Sequence, residues 1–296
     1  MKKLWDHFWF QVDGRAQVFL FRKIFCWILF GSYFSRSFDL ELLYSNEGLL
    51  QVASIPAVLF SDYRFSILNY LSGVNSLWLF HGLFLTSLVF LAFGCLTWFM
   101  SLVALFCHLS FIHRNLGAVY GADTIATYYL FYLCLFEIGE SKIFKKIPLS
   151  SAVFRLMQIQ LCVIYAYSGF EKLRGASWWN GDALWYALMN SQVSRWNMSW
   201  VFHDSGASVW FSLPIALASY GVVLWEVYFP VLVWSKRWKF WILGTGAVIH
   251  AMIGICFRIP FFAAVMVCAY LLFLDSKELK HFTQFFKKIL ARVKLA

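Results

Sequence analysis

Lys172 is the residue whose neighbours best suit it to chemistry. It closes a long apolar run in YAYSGFEKLRGASWWNGDALWYAL, residues 165–188. A Gly/Ser turn, the pair Trp178-Trp179 and Asn180-Gly181-Asp182 follow it. An ionisable group at the end of an apolar segment, beside small residues, is a functional-site hypothesis by default. The plainer reading is a lysine that snorkels to a membrane interface, with Trp178 and Trp179 in an aromatic belt.

Glu226 lies inside another apolar run, SYGVVLWEVYFPVLVW. A carboxylate there must be paired, protonated or hydrated. Arg22 or Arg258 is the expected structural partner, and a proton-handling cavity group is the functional alternative. Pro230, four residues on, frees the carbonyl of Glu226. His250 sits in GTGAVIHAMIGIC, where Gly244, Gly246, Ala247, Ala251 and Gly254 allow close helix approach or leave room for a ligand. A third cluster, FIHRNLGAVYGAD (residues 111–123), puts Asn115 and Asp123 in one turn. Asp123 either caps a helix N-terminus or contacts a ligand. His81 and His108 are read as packing residues.

Membrane helices must position these groups. The 296 residues are 61% hydrophobic and 14% charged, with a mean hydropathy of +0.67. A soluble domain carries about 25% charged residues. Crossing about 30 Å of hydrocarbon takes roughly 20 apolar residues per helix. Eight runs qualify, at 16–35, 75–95, 97–113, 124–140, 151–171, 208–234, 239–257 and 259–274. The expected fold is therefore an all-α integral membrane protein of about eight helices, because lipid does not tolerate unpaired backbone. With the N-terminus inside, eighteen of the 25 Lys and Arg fall on the inner side, which predicts an N-in, C-in topology. Long outer loops are expected at 36–74 and 172–207. The chain reads as a membrane domain over 1–275 and a basic cytoplasmic tail over 276–296. Phe282, Phe285, Phe286, Ile289 and Leu290 give the tail an amphipathic pattern.

The net charge of +10 follows from that bias and from attraction to anionic membrane lipids, so no nucleic-acid partner is expected. The N-terminus lacks a small-residue cleavage site, so no cleaved signal peptide is expected. None of the seven cysteines forms CxxC, which argues against a zinc site or a disulfide framework. No P-loop, GxSxG, HExxH or dinucleotide fingerprint is present. Asn197-Met198-Ser199 is a formal glycosylation sequon.

Four segments in order carry a family likeness. They are LELLYSNEGLL (40–50), FIHRNLGAVYGAD, the Lys172 block and HAMIGICFRIPFFAAVMV (250–267). Together they resemble the HTTM family, the horizontally transferred transmembrane domain shared with vitamin K-dependent gamma-carboxylase. The resemblance implies that Lys172 is a base toward a reduced, vitamin K-like quinone. It also implies that His250 and Asn115 are pocket residues. A lysine accepts a proton only as the neutral amine, which desolvation favours. The carboxylase also carries a large luminal portion that binds protein substrate, and no counterpart is expected after Leu274. Arg258 and Pro260 stand where the family has small residues, and Glu171 adjoins the lysine.

Two functions follow. One is a gamma-carboxylase-like or quinol-oxygenase-like membrane enzyme in a bacterial cytoplasmic membrane. Lys172 and His250 would be catalytic, and Asn115, Asp123, Glu226 and Trp178 would bind substrate. The other is a non-catalytic accessory protein, similar to the SdpB-like members, that matures or exports a secreted peptide. A transporter relay through Glu226, Arg258 and His250 is a third, weaker expectation.

Overall fold

A computed structural model describes residues 2–51, 64–71, 73–141, 149–196, 208–281 and 283–284, with backbone alone for 208–211. The sequon at Asn197, most of the basic tail and parts of both long loops lie outside the described residues. Among the described residues the chain is helical and has no strand. A lone antiparallel bridge joins Ser194 to Phe257. Among the described residues five segments are long and apolar enough to cross a membrane: Lys2–Tyr44, Val74–Phe93, Leu149–Arg174, Ser212–Leu232 and Lys239–Cys256. The other three expected runs are also helical. They are Thr97–Arg114, Gly121–Glu140 and the shorter Pro260–Ala269.

The chain divides into two compact units, 1–157 with 275–296, and 158–274. The first holds α1 (Lys2–Phe10), α2 (Arg15–Arg36), α3 (Leu40–Tyr44), α4 (Val74–Phe93), α5 (Thr97–Arg114) and α6 (Gly121–Glu140). Helix α2 packs on α4, α4 on α5, and α5 on α6. Their core is aromatic. Phe21, Phe25 and Tyr129 form one cluster, and Tyr33, Phe84 and Phe111 form another. Polar ties cross this core because a buried charge needs a partner. Arg22 pairs with Glu137, and Arg36 pairs with Asp123 at 2.7 Å. Helix α4 ends at Gly94, whose φ of +80° suits a left-handed cap.

Helix α7 (Leu149–Arg174) contributes Gln158 onward to the second unit. The turns α8 (Ala176–Trp179) and α9 (Ala183–Met189) follow it. Then come α10 (Ser208–Leu232), α11 (Lys239–Cys256) and α12 (Pro260–Ala269). Helix α10 runs through Pro214 and Pro230. Pro230 has no N–H to give the carbonyl four residues back, which is that of Glu226. Helix α9 packs on α10, α10 on α11, and α11 on α12. The α7–α10 crossing is close. A Cβ on Gly169 would lie 2.9 Å from Val227 Cγ2 and 3.1 Å from the Val227 nitrogen. Only glycine permits that approach.

Candidate functional site

The second unit assembles a polar cluster around Lys172. Ser168 stands four residues before it on α7, so both side chains share a face. Lys172 Nζ donates to Ser168 Oγ at 2.6 Å and to Glu226 Oε1 at 3.0 Å. Glu226 Oε2 is 2.7 Å from the same nitrogen but off the hydrogen-bonding direction, so that contact is ionic. The Trp178 ring lies 5.2 Å from Nζ, within cation–π range. The Lys172 side chain is 20% exposed and that of Glu226 11%. A carboxylate, a hydroxyl and an indole face therefore surround one amine, and little of it meets solvent.

A clasp between the 175–184 turn and α10 positions Trp178. Ser219 Oγ lies 3.2 Å from Gly181 O and 2.9 Å from Ile215 O, which share its one proton, and Leu184 N approaches Ser219 Oγ at 3.4 Å. Tyr220 Oη donates to Trp179 O at 2.8 Å, and Trp179 Nε1 donates to Leu173 O at 2.6 Å. Gly181 holds φ +79°, and a Cβ there would lie 2.6 Å from Ala216 Cβ. Gly181 is thus required both by its backbone conformation and by contact.

His250 sits beside this cluster in an aromatic box. Its Nε2 is 2.8 Å from Tyr165 Oη, which is itself 2.7 Å from Tyr270 Oη. The Trp225, Phe262 and Tyr270 rings pack around it. Gly246 makes room for the box. A Cβ there would come within 2.3 Å of both Trp225 and the Tyr270 hydroxyl. Tyr165 lies three residues before Ser168 on α7, and Trp225 directly precedes Glu226 on α10. The box and the ion pair therefore draw residues from the same two helices, with Tyr165 about two turns before Lys172 on α7 and Trp225 next to Glu226 on α10.

Of the expected site residues, Lys172 contacts both Glu226 and Trp178, while His250 contacts Tyr165, seven residues before Lys172 on α7. The partner of Glu226 differs from the expectation. It is Lys172, while Arg22 pairs with Glu137 and Arg258 uses its backbone N–H to bind Val193 O. Glu171 does not reach Lys172. Neighbours on a helix point about 100° apart, and Glu171 instead pairs with Arg174 at 3.2 Å on the exposed side.

Asn115 and Asp123 belong to the first unit, where both serve as internal ties. Asn115 Nδ2 donates to Leu43 O at 2.7 Å, and its Oδ1 accepts from Gly117 N at 3.0 Å. Asp123 accepts from Arg36 Nη2 through both oxygens and takes the Tyr120 N–H at 3.1 Å, which caps α6. His108, read as a packing residue, is buried between Tyr33 Oη and Asp123 O. Burial raises the Tyr120 phenol above its ordinary pKa, and the charge of Asp123 adds to this.

Sequence reasoning missed Ser168, Tyr165 and Tyr270. The spacing Tyr165, Ser168, Lys172 is a three–four helical repeat, and it would have put the first two on the lysine's face. Tyr270 gave no such signal, because only the fold brings the turn that follows α12 to α7. No family model matches the chain, and no curated protein or solved structure matches it.

Proposed function

We propose that this chain is an HTTM-type membrane protein with a proton-transfer site in its second unit, where Lys172 is the base toward a quinol or similar lipophilic hydroxyl compound. In this reading the chain crosses a bacterial cytoplasmic membrane eight times with both ends inside, and the site faces outward. The observation that carries the proposal is the Lys172–Glu226 contact at 2.7 Å beside Ser168 and Trp178.

The chemistry follows from that pair. Moving one proton from Nζ to a Glu226 oxygen turns the ion pair into a neutral amine and a carboxylic acid. A poorly hydrated site tolerates that neutral form far better than bulk water does. The amine can then take a proton from a substrate hydroxyl and become charged again, while Ser168 keeps it oriented. Trp178 covers the ammonium and shields it from solvent.

A reduced quinone suits the neighbouring box chemically, because aromatic faces and one unpartnered nitrogen, His250 Nδ1, match a flat ring with an oxygen substituent. Such a group would supply an acidic hydroxyl and electrons for reaction with oxygen. His250 would hold the ring oxygen, and Lys172 would remove the proton. The test is oxygen-dependent oxidation of menaquinol by purified protein, with epoxide product read by mass spectrometry. Epoxide from the parent and none from Lys172→Ala supports the reading. Equal product from both, or none from a folded parent, overturns it.

A second reading rests on a different observation. Trp179, Tyr186 and Trp196 are all more than half exposed on the turns that follow α7. Aromatic residues displayed together favour a protein partner, which fits an accessory role in maturing or exporting a secreted peptide. Photocrosslinking from position 196 to a secreted peptide would support it. Recovery of uncrosslinked protein alone from the producing cells would remove it.

A further inference from the structure

Helix α1 alternates its residues in pairs. Lys2-Lys3 and Asp6-His7 are polar, and Leu4-Trp5 and Phe8-Trp9 are apolar. Positions four apart share a helix face, so the pairs sort onto two opposite sides. Only half of the apolar side is docked. Arg155, in the first unit, donates from Nε to Phe8 O at 3.0 Å, and its guanidinium carbon lies 4.7 Å from the centre of the Phe8 ring. Trp9 beside it is half-buried. Leu4 and Trp5 continue the same side beyond that contact and are 76% and 62% exposed. No residue of α1 is fully buried.

Helix α2 fixes where this overhang lies. Its 22 residues, Arg15–Arg36, rise about 33 Å, enough to cross roughly 30 Å of hydrocarbon without help. The nine residues of α1 are surplus to that crossing and fall outside the hydrocarbon, on the side where α2 begins. The elbow between the two helices is held in place. A Cβ on Gly14 would come within 2.2 Å of the Phe154 ring, and Arg15 Nε meets Glu140 Oε2 at 2.8 Å.

A helix with lysines on one side and leucine and tryptophan on the other suits a membrane surface. The indole sits at headgroup depth there, and the ammonium groups meet phosphates. Charge favours this partner over a second copy of the chain. A copy meeting the same surface face to face would set Lys2 and Lys3 against their own equivalents. Anionic headgroups attract both.

We propose that α1 lies in the interface of the leaflet from which α2 starts, with Leu4 and Trp5 inserted and with Lys2 and Lys3 on the headgroups of anionic phospholipid. The assignment rests on α2 crossing the membrane, as proposed above, but not on the chemistry of Lys172.

The test is electron paramagnetic resonance of the full chain in nanodiscs of phosphatidylcholine, with and without phosphatidylglycerol. A spin label is placed singly at position 4, 7 or 27 through an unnatural ketone side chain, which leaves the seven cysteines unlabelled. Oxygen, which partitions into lipid, and a water-soluble nickel chelate report the surroundings of each label. Trp27, 41% exposed near the middle of α2, is the control for the crossing. With phosphatidylglycerol present, the label at position 4 should be several-fold less accessible to nickel than the label at position 7, and open to oxygen. Without phosphatidylglycerol it should turn toward water. Lys2→Gln with Lys3→Gln should abolish that difference between the lipid mixtures, and Trp5→Ser should release the label at position 4 in both. Nickel access at position 4 equal to that at position 7 in both mixtures overturns the proposal. So does a label at position 4 closed to both reagents, which would mean that a protein surface covers the helix. Equal insertion with and without phosphatidylglycerol refutes the anionic partner. Nickel access at position 27 removes the crossing of α2 and the proposal with it, whereas a protected position 27 with a wet position 4 removes the role of α1 alone.

Discussion

Lys172 and Glu226 lie 54 positions apart on α7 and α10, and Nζ touches both carboxylate oxygens, at 3.0 and 2.7 Å. Each is the other's counter-charge. Neither can be removed without stranding its partner in a largely apolar site.

Lys172→Met should therefore cost on the order of 3 kcal/mol, at the low end for a buried pair because the lysine retains some solvent contact. The double variant Lys172→Met with Glu226→Leu should recover to within about 1 kcal/mol of the parent, because apolar residues can replace both charges. Thermal unfolding in nanodiscs measures both. A double variant as unstable as the worse single would show that the two side chains are not energetically coupled.

Gly246→Ala tests the aromatic box. Its new methyl would overlap the Trp225 ring and the Tyr270 hydroxyl, and overpacking of this kind costs about 1–3 kcal/mol. The expected result is a lower unfolding temperature and loss of whatever activity the parent shows. Gly244→Ala is the control, since nothing lies within 4 Å of a Cβ there. Similar behaviour of the two variants would mean that the box is loosely packed.

The clasp predicts a local change rather than a global one. Tyr220→Phe removes the bond to Trp179 O, and Ser219→Ala removes the bond to Gly181 O. Each should cost about 1 kcal/mol. Hydrogen exchange at amides 178–184 should accelerate several-fold while α11 is unchanged. Uniform acceleration across the second unit would contradict a local clasp.

In the first unit, Asp123→Asn replaces a carboxylate that takes two bonds from Arg36 and caps α6 through Tyr120 N. The expected cost is on the order of 3 kcal/mol, whether or not any ligand is added. If Asp123→Asn unfolds like the parent but loses turnover, Asp123 acts on substrate rather than on the fold.

How far the sequence was readable depended on how local each signal was. Apolar run length is a property of consecutive residues, so the helices around Glu226 and His250 could be placed from it. The Asp123 cap was legible too, because it stands three residues from the N–H it accepts. Pairing across the fold was not. Glu226 announced that it needed a partner, but arginine looked the better candidate because its guanidinium is the usual choice for a buried pair. The lysine won because Gly169 lets α7 and α10 approach closely, and Lys172 lies one turn from that point. The hydroxyls of Tyr165 and Tyr270 stayed hidden for the same reason, since a tyrosine in an apolar run looks like any other core aromatic.

The missing side chain at Gly169 also bears on traffic. Where Val227 fills that space, the two backbones touch and leave no slot between α7 and α10. A molecule travelling within the bilayer cannot reach Nζ by slipping between those helices at that level. An added methyl at position 169 would have to force that seam apart.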